Sequence, residues 1–145
     1  MSKQNAQIDE VSAWLADARH ALGKWGGYYR AGFSALIPHD SVIGRAHSGH
    51  VQQPINAFRI EYGNENDAVD AIISGLPEHM RRCLIDVYGM DYSHRHAAER
   101  AGMNYRAFRD QLQAAIGGVA TGMALLESKV ENAARASRLA RLRVA

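Results

Sequence analysis

The chain has 145 residues, of which 47% are hydrophobic and 22% are charged, and its formal net charge is +2. This length predicts one domain, and this composition argues against a disordered tail, a collagen-like chain and a disulfide mini-protein. Neither a transmembrane helix nor a secretory signal is expected, because Gly, Pro, Ser and His break the charge-free stretches and the first ten residues are polar. The single cysteine, Cys83, excludes an internal disulfide, and the expected location is a reducing cytoplasm.

The first predicted element is a helix from about Asn5 to Gly23. Gly23 or the pair Gly26 and Gly27 is expected to end it, because glycine readily adopts the left-handed conformation that terminates helices. Its apolar residues recur every three or four positions and form one stripe: Ile8, Val11, Leu15, Ala18, Leu22 and Trp25.

Residues 26 to 63 predict a long irregular connection, rich in Gly and Pro and without a sustained period. It holds three histidines, His39, His47 and His50, and the last two have an HxxH spacing. A zinc site is disfavoured, because no helix is expected to fix these ligands and no fourth ligand is evident. No metal or other cofactor is therefore expected.

The helical pattern returns at Asn66, and either Asn66 or Asn64 is a suitable N-cap. Asp67 and Asp70 suit the positive N-terminal end of this helix, and Val69, Ile72, Ile73 and Leu76 form its apolar stripe. Pro77 is expected to start another helix, since proline is tolerated in the first turn. The buried face of that helix is predicted to comprise Met80, Cys83, Leu84, Val87 and Tyr88, before Gly89 closes it.

The segment from Ser93 to Leu112 predicts a helix-turn-helix. Ser93 is a good N-cap, Gly102 suits a sharp turn, and Asn104 can cap the next helix. The predicted inward positions are Ala97, Ala98, Ala101, Met103, Ala107, Phe108 and Leu112. An ordinary helical hairpin with charged outer faces is the alternative interpretation.

This packing leaves Arg106 and Arg109 facing outward, where arginine can fork onto guanine in the major groove and glutamine can pair with adenine. Ser93 and Arg95, at the start of the first helix, can hold a phosphate. The predicted DNA-binding residues are Ser93, Arg95, Tyr105, Arg106, Arg109 and Gln113. The charge distribution agrees, because residues 71–145 carry a net charge of +4 and residues 1–70 carry −2.

Three short motifs resemble the bacteriophage late-gene antitermination protein Q family, in its small form without a zinc finger. The first is Leu22-Gly-Lys-Trp25-Gly26 at the end of the first helix, and the second is Ala31-Gly-Phe-Ser-Ala-Leu-Ile-Pro38. The third is the order of an Asp-rich helix, a proline-led helix and the helix-turn-helix. The resemblance covers about Val11 to Leu126, and the helix-turn-helix alone also resembles sigma-factor region four.

The resemblance implies a factor that binds a DNA element near the phage late promoter, possesses no enzymatic activity and needs no cofactor. Such a factor loads onto host RNA polymerase paused with its sigma factor and narrows the RNA exit channel around nascent RNA, so that pauses and terminators are read through. A second copy on repeated DNA half-elements is implied as well. Candidate polymerase or RNA-channel contacts are Trp25, Phe33, Arg45 and His47, although Trp25 also fits core packing.

Two alternatives are weighed against this interpretation. A repressor or sigma-like regulator would share the helix-turn-helix and lack antitermination activity. An enzyme is disfavoured, because the chain contains no Gly-rich phosphate loop after a strand, no nucleophile motif and no paired carboxylates on a periodic face. Cys83 lies on an apolar face and fits a core residue better than a nucleophile.

The predicted fold is all-α, with five or six helices in a single domain over residues 1–145. The domain divides into an N-terminal helix and loop (5–63), a bundle containing a sigma-region-4-like helix-turn-helix (64–126) and a basic tail (127–145). Gly117, Gly118 and Gly122 are expected to interrupt the helix before the tail. The tail's Arg135, Arg138, Arg141 and Arg143 fit either a contact with phosphate or RNA, or a frayed basic terminus.

Overall fold

The fold is all-α, as predicted. A computed structural model describes the backbone of residues 3–38 and 55–144 and the side chains of residues 10–38 and 65–143, and this part contains no strand. Its helices are α1 (Lys3–Arg30), α2 (Ile55–Ser74), α3 (Glu78–Leu84), α4 (His94–Ala101) and α5 (Tyr105–Val144), and α3 continues into a π-helical turn over Ile85–Gly89. None of the described helices is both long enough and apolar enough to cross a bilayer.

Helix α1 runs through the glycines that were expected to end it, so that prediction is wrong. Gly26 serves a close approach instead, because a Cβ there would lie 2.3 Å from the carbonyl oxygen of Tyr88 in the π-helical turn. Arg30 donates to the same carbonyl at 2.9 Å. The helix ends only after Arg30, where Gly32 takes a positive φ of 90°.

The described part of the predicted stripe of α1 begins at Val11, because the side chain of Ile8 lies outside the described residues. Ala18, Leu22 and Trp25 are buried and Leu15 is half-buried, whereas Val11 is 50% exposed, contrary to the prediction. Trp14, one turn further on, is also 50% exposed and lines a small groove with Met123 and Glu127 of α5, so α5 covers this part of α1 only in part. Periodicity places residues on one face of a helix, but it does not say how far a neighbour extends along that face.

The core is built around Trp25, which is 0% exposed and lies with its ring centroid 5.4 Å from that of Tyr29. The other largest fully buried side chains come from α1, α2, α3 and α5, and they are Phe108, Leu22, Ile73, Leu84, Val69 and Val119. Helices α1, α2 and α5 therefore share one hydrophobic interior, on which the π-helical turn and α4 pack.

Asp70 is a buried carboxylate between α1, α2 and the segment that follows α1. It accepts hydrogen bonds from the indole Nε1 of Trp25 (2.8 Å), the hydroxyl of Ser34 and the backbone N–H of Ala35 (3.0 Å). We call these four residues the Asp70 cluster. The predicted start of this helix at Asn64 or Asn66 is wrong, because α2 begins at Ile55, so Asp67 and Asp70 lie well inside it and residues 55–63 are helical rather than part of the predicted connection.

Pro77 precedes α3 as its N-cap, so a new helix begins there as predicted. Cys83 and Leu84 are buried, and Gly89 ends the π-helical turn against the ring of Tyr29, where a Cβ would lie 2.9 Å from Cδ1. The sequence pattern did not predict the π-helical geometry. The π-helical turn packs against α1, where Gly26 leaves room for the backbone carbonyl of Tyr88.

Helix α5 is continuous over its 40 residues, so the predicted interruption at its glycines is wrong. Two of those glycines admit neighbouring side chains: a Cβ would lie 2.9 Å from Leu76 at Gly118 and 2.6 Å from Ile72 at Gly122. The first half of α5 is packed through Leu112, Ala115, Ile116 and Val119. From Leu125 to Arg143 every residue is exposed.

Candidate nucleic-acid interface

A three-residue turn joins helices α4 and α5, and each of the two helices is capped at its N-terminus as predicted. The hydroxyl of Ser93 accepts from the backbone N–H of His96 at 3.1 Å, and Asn104 Oδ1 accepts from the N–H of Ala107 at 2.8 Å. Gly102 is left-handed, with φ 67° and ψ 29°. The N–H of Met103 donates back to the carbonyl of Ala98 at 3.0 Å, which closes the end of α4.

The inner side of this pair of helices largely follows the predicted pattern. Ala97, Ala98, Phe108 and Leu112 are buried, and Met103 and Ala107 are half-buried. Ala101 is exposed, so its predicted burial is wrong. It faces an open groove between α3, α4 and α5 rather than a packed neighbour.

The outer side carries a stack of charged and aromatic side chains. The ring of Tyr105 is 43% exposed. The guanidinium carbon of Arg95 lies 5.9 Å from its centroid, and that of Arg109 lies 5.7 Å from it. We call Arg95, Tyr105 and Arg109 the Tyr105 cluster. Cation–π contact at these distances orients each guanidinium while its N–H donors stay exposed to water.

A shallow groove of about 290 Å³ lies beside the Tyr105 cluster, and its wall adds Arg106, Asp110 and Gln113. Arg106 and Gln113 make no hydrogen bond or ion pair with the described residues, and both are exposed. Their donors are therefore available to an incoming ligand. Asp110 is the one carboxylate on this wall, so the groove favours an anionic ligand with its own hydrogen-bond acceptors.

Five of the six predicted DNA-binding residues thus lie on one surface of α4 and α5: Arg95, Tyr105, Arg106, Arg109 and Gln113. The sixth, Ser93, is exposed at the N-terminus of α4, where its oxygen accepts the capping hydrogen bond. Its O–H can still donate outward.

The predicted polymerase or RNA-channel contacts do not form one surface among the described residues. Trp25 is wrong as a surface contact, because it is fully buried and its Nε1 is bonded to Asp70. Phe33 is half-buried, and its ring packs 5.8 Å from that of Tyr28, next to the core. Arg45 and His47 lie outside the described residues, as do the histidines considered as zinc ligands. Within the described side chains, no three His, Cys, Asp or Glu residues converge as a metal site.

A second groove, of about 450 Å³, lies behind the turn between α3, α4 and α5, and sequence reasoning missed it. Arg100 reaches Asp86 across it at 3.5 Å, and Gln111 donates to the carbonyl of His79 at 3.0 Å. Burial, and secondarily Asp86, raises the pKa of the Cys83 thiol at its base. This groove therefore presents charged and hydrogen-bonding side chains around a buried thiol.

Comparison with protein-family models, with curated proteins and with solved structures gives no significant match to this chain.

Proposed function

We propose that the chain is a DNA-binding transcription factor in which α4, the turn and the start of α5 act as a helix-turn-helix. The arrangement of the Tyr105 cluster carries this proposal. Arg95 and Arg109 flank the exposed ring of Tyr105. The exposed side chains of Arg106 and Gln113 line the groove beside them, in the N-terminal part of α5. Arginine and glutamine are the side chains that read guanine and adenine edges, and this end of a recognition helix enters the major groove.

Each residue has a distinct role in this proposal. Arg106 and Arg109 contact base edges, and Gln113 contacts a base further along the groove. Arg95 and Ser93 hold the phosphate backbone from the start of α4. Tyr105 positions the two arginines that flank it, because its ring face attracts both guanidinium groups.

Selection from a random duplex library, followed by binding titrations, tests this role. Arg106→Ala and Arg109→Ala are each expected to weaken binding to the selected duplex by about 1–3 kcal/mol and to relax its sequence preference. Arg19→Ala is the matched control, because it removes an exposed arginine from α1. Unchanged affinity and preference in both α5 variants would contradict the proposal.

The proposed biological role is transcription antitermination in a phage-infected bacterial cell. The factor binds its DNA element, engages sigma-containing RNA polymerase and modifies the RNA exit channel, so that terminators are read through. The motif resemblance around residues 22–38 supports this role. In the described structure those motifs have structural uses as well, since Trp25 and Ser34 both bond to Asp70.

A read-through assay separates antitermination from the alternative of a repressor or sigma-like regulator. Purified bacterial polymerase transcribing past a terminator is expected to yield longer RNA when the protein and its selected element are present. Repression or activation without longer RNA would establish the alternative. Arg45→Ala with His47→Ala tests the proposed polymerase contact: read-through should fall while DNA affinity stays unchanged.

A further inference from the structure

Beyond Glu127, which lines a small groove with Trp14 and Asp17 of α1, the second half of α5 is a charged helix whose described residues are all exposed. We call Leu125–Arg143 the distal arm, in which every residue is exposed. Glu127 and Glu131 are its only acidic residues, and the twelve positions that follow Glu131 carry four arginines: Arg135, Arg138, Arg141 and Arg143. None of these arginines forms an ion pair or hydrogen bond with the described part of the chain.

The distribution of side chains around the arm favours one kind of partner. At 100° per residue, Leu142, Arg135 and Leu139 fall within about 60° of one another, so apolar and basic residues share one face. A helix that lies in a membrane interface needs these two kinds of residue on opposite faces. Beyond Val130, the other side of the arm presents Arg141 beside the small residues Ala133, Ser137 and Ala140, which is little apolar area for a partner helix.

Nucleic acid fits the charge, and a duplex fits better than a single strand. Single-strand binders stack bases on aromatic side chains, and the sequence from Leu125 onward contains none. Arg135, Arg138 and Arg141 rise about 4.5 Å per step and span an arc of about 120°. Long side chains on that arc can reach successive phosphates of a duplex, which carries one charge per roughly 1.7 Å of its axis.

We propose that the distal arm binds the phosphate backbone of double-stranded DNA without reading its sequence, through Arg135, Arg138, Arg141 and Arg143. Because α5 is continuous, Arg109 and Arg135 stand about 39 Å apart along one helix. That distance exceeds the screening length of about 8 Å at physiological salt, so the arm acts independently of the Tyr105 cluster. It is also close to one helical turn of DNA, about 34–36 Å.

The test is the salt dependence of binding to a duplex of arbitrary sequence. The variant R135Q/R138Q/R141Q/R143Q should lower the slope of log affinity against log salt by up to about 3.6, which corresponds to four phosphate contacts. It should also weaken binding at least tenfold at low salt. The matched variant R135K/R138K/R141K/R143K keeps the charges and should keep most of the slope. Far-UV circular dichroism checks that the arm stays helical in both.

Other outcomes overturn the proposal. An unchanged slope in the glutamine variant shows that the arm makes no phosphate contact. Tighter binding of the unmodified protein to single-stranded RNA or to vesicles containing phosphatidylserine than to duplex, abolished by the same variant, assigns the arm to that partner instead. A failure of the proposed helix-turn-helix gives a different result. The variant R106A/R109A would then leave the sequence preference unchanged, while the glutamine variant of the arm would still lower the salt dependence of binding.

Discussion

The Asp70 cluster and the Tyr105 cluster combine the same ingredients, a formal charge and an aromatic side chain, and place them in opposite environments. Inside the bundle, the carboxylate of Asp70 receives three donors and is almost completely shielded from water. On the surface, two guanidinium groups flank Tyr105 and keep their donors exposed. The inner cluster therefore consumes its hydrogen-bonding capacity in the fold, whereas the outer one retains it for a ligand.

The largest expected effect comes from breaking the inner cluster. Asp70→Ala leaves the donors of Trp25, Ser34 and Ala35 without their acceptor. The N–H of Ala35 lies on an exposed residue and can bond to water, whereas the buried donors of Trp25 and Ser34 cost about 1–3 kcal/mol each when unsatisfied, so the free energy of unfolding should fall by about 2 kcal/mol or more. Urea unfolding measures this. Asp67→Asn is the control, because Asp67 is exposed and accepts only from the hydroxyl of Tyr28 among the described hydrogen bonds.

The loss from Asp67→Asn should stay within about 1 kcal/mol. Equal losses from the two substitutions would contradict the view that the buried carboxylate organises this side of the bundle.

The next effect concerns the backbone contact beside the inner cluster. Gly26→Ala drives a Cβ into the carbonyl of Tyr88, a backbone atom that cannot rotate away, and should cost about 1–3 kcal/mol. Gly23→Ala is the matched substitution in the same helix, with nothing within 4 Å of its new Cβ. It should stabilise the protein by up to about 1 kcal/mol, because alanine is the better helix former. Thermal unfolding of both variants gives the sign of each change.

These glycines explain which features the sequence could predict. The caps at Ser93 and Asn104 and the left-handed Gly102 depend on chain neighbours within three residues, and local signals predicted them correctly. Gly26 and Gly122 serve contacts with residues 50 or more positions away, which one sequence does not display. A glycine that makes room for a neighbouring side chain and one that ends a helix look the same in sequence, so the C-terminal end of α1 and the continuity of α5 were predicted wrongly.

The candidate site was predicted better where its residues lie on a single helix. One helical face fixes Arg106, Arg109 and Gln113 relative to one another, so spacing alone brought them together. Trp25 is wrong as a polymerase contact but buried as its place in the apolar stripe predicts, and only its hydrogen bond to Asp70, 45 residues later, was beyond the reach of local spacing. The groove behind the turn also escaped prediction, since three separate helices form it.

A smaller effect on stability is expected at the outer cluster. Tyr105→Leu removes the ring between Arg95 and Arg109, but it leaves no buried group unsatisfied, so the free energy of unfolding should change by less than about 0.5 kcal/mol. DNA affinity should fall, because both arginines lose the surface that orients them. Tyr105→Phe keeps the ring and should keep most of the affinity. If Tyr105→Leu unfolds the protein as readily as Asp70→Ala, the contrast between the clusters is wrong.

The smallest effect is expected at Cys83, which lines the groove between α3, α4 and α5, and it concerns pH. Burial and the nearby Asp86 raise the pKa of this thiol in the folded protein, so the folded state holds its proton more tightly than the unfolded state. The resulting stabilisation is complete below the unfolded pKa of about 8.5 and is lost as pH rises towards the folded value. The free energy of unfolding should therefore decline from about pH 8 upward, and that of the Cys83→Ala variant should decline less steeply over the same range.

Alkylation by iodoacetamide should also be slow at pH 7.5 in the native state and fast in urea, because the reactive thiolate forms readily only once the chain unfolds. Parallel pH profiles for the two proteins, with equal alkylation rates in buffer and urea, would show that the base of the groove behind the turn is open to water.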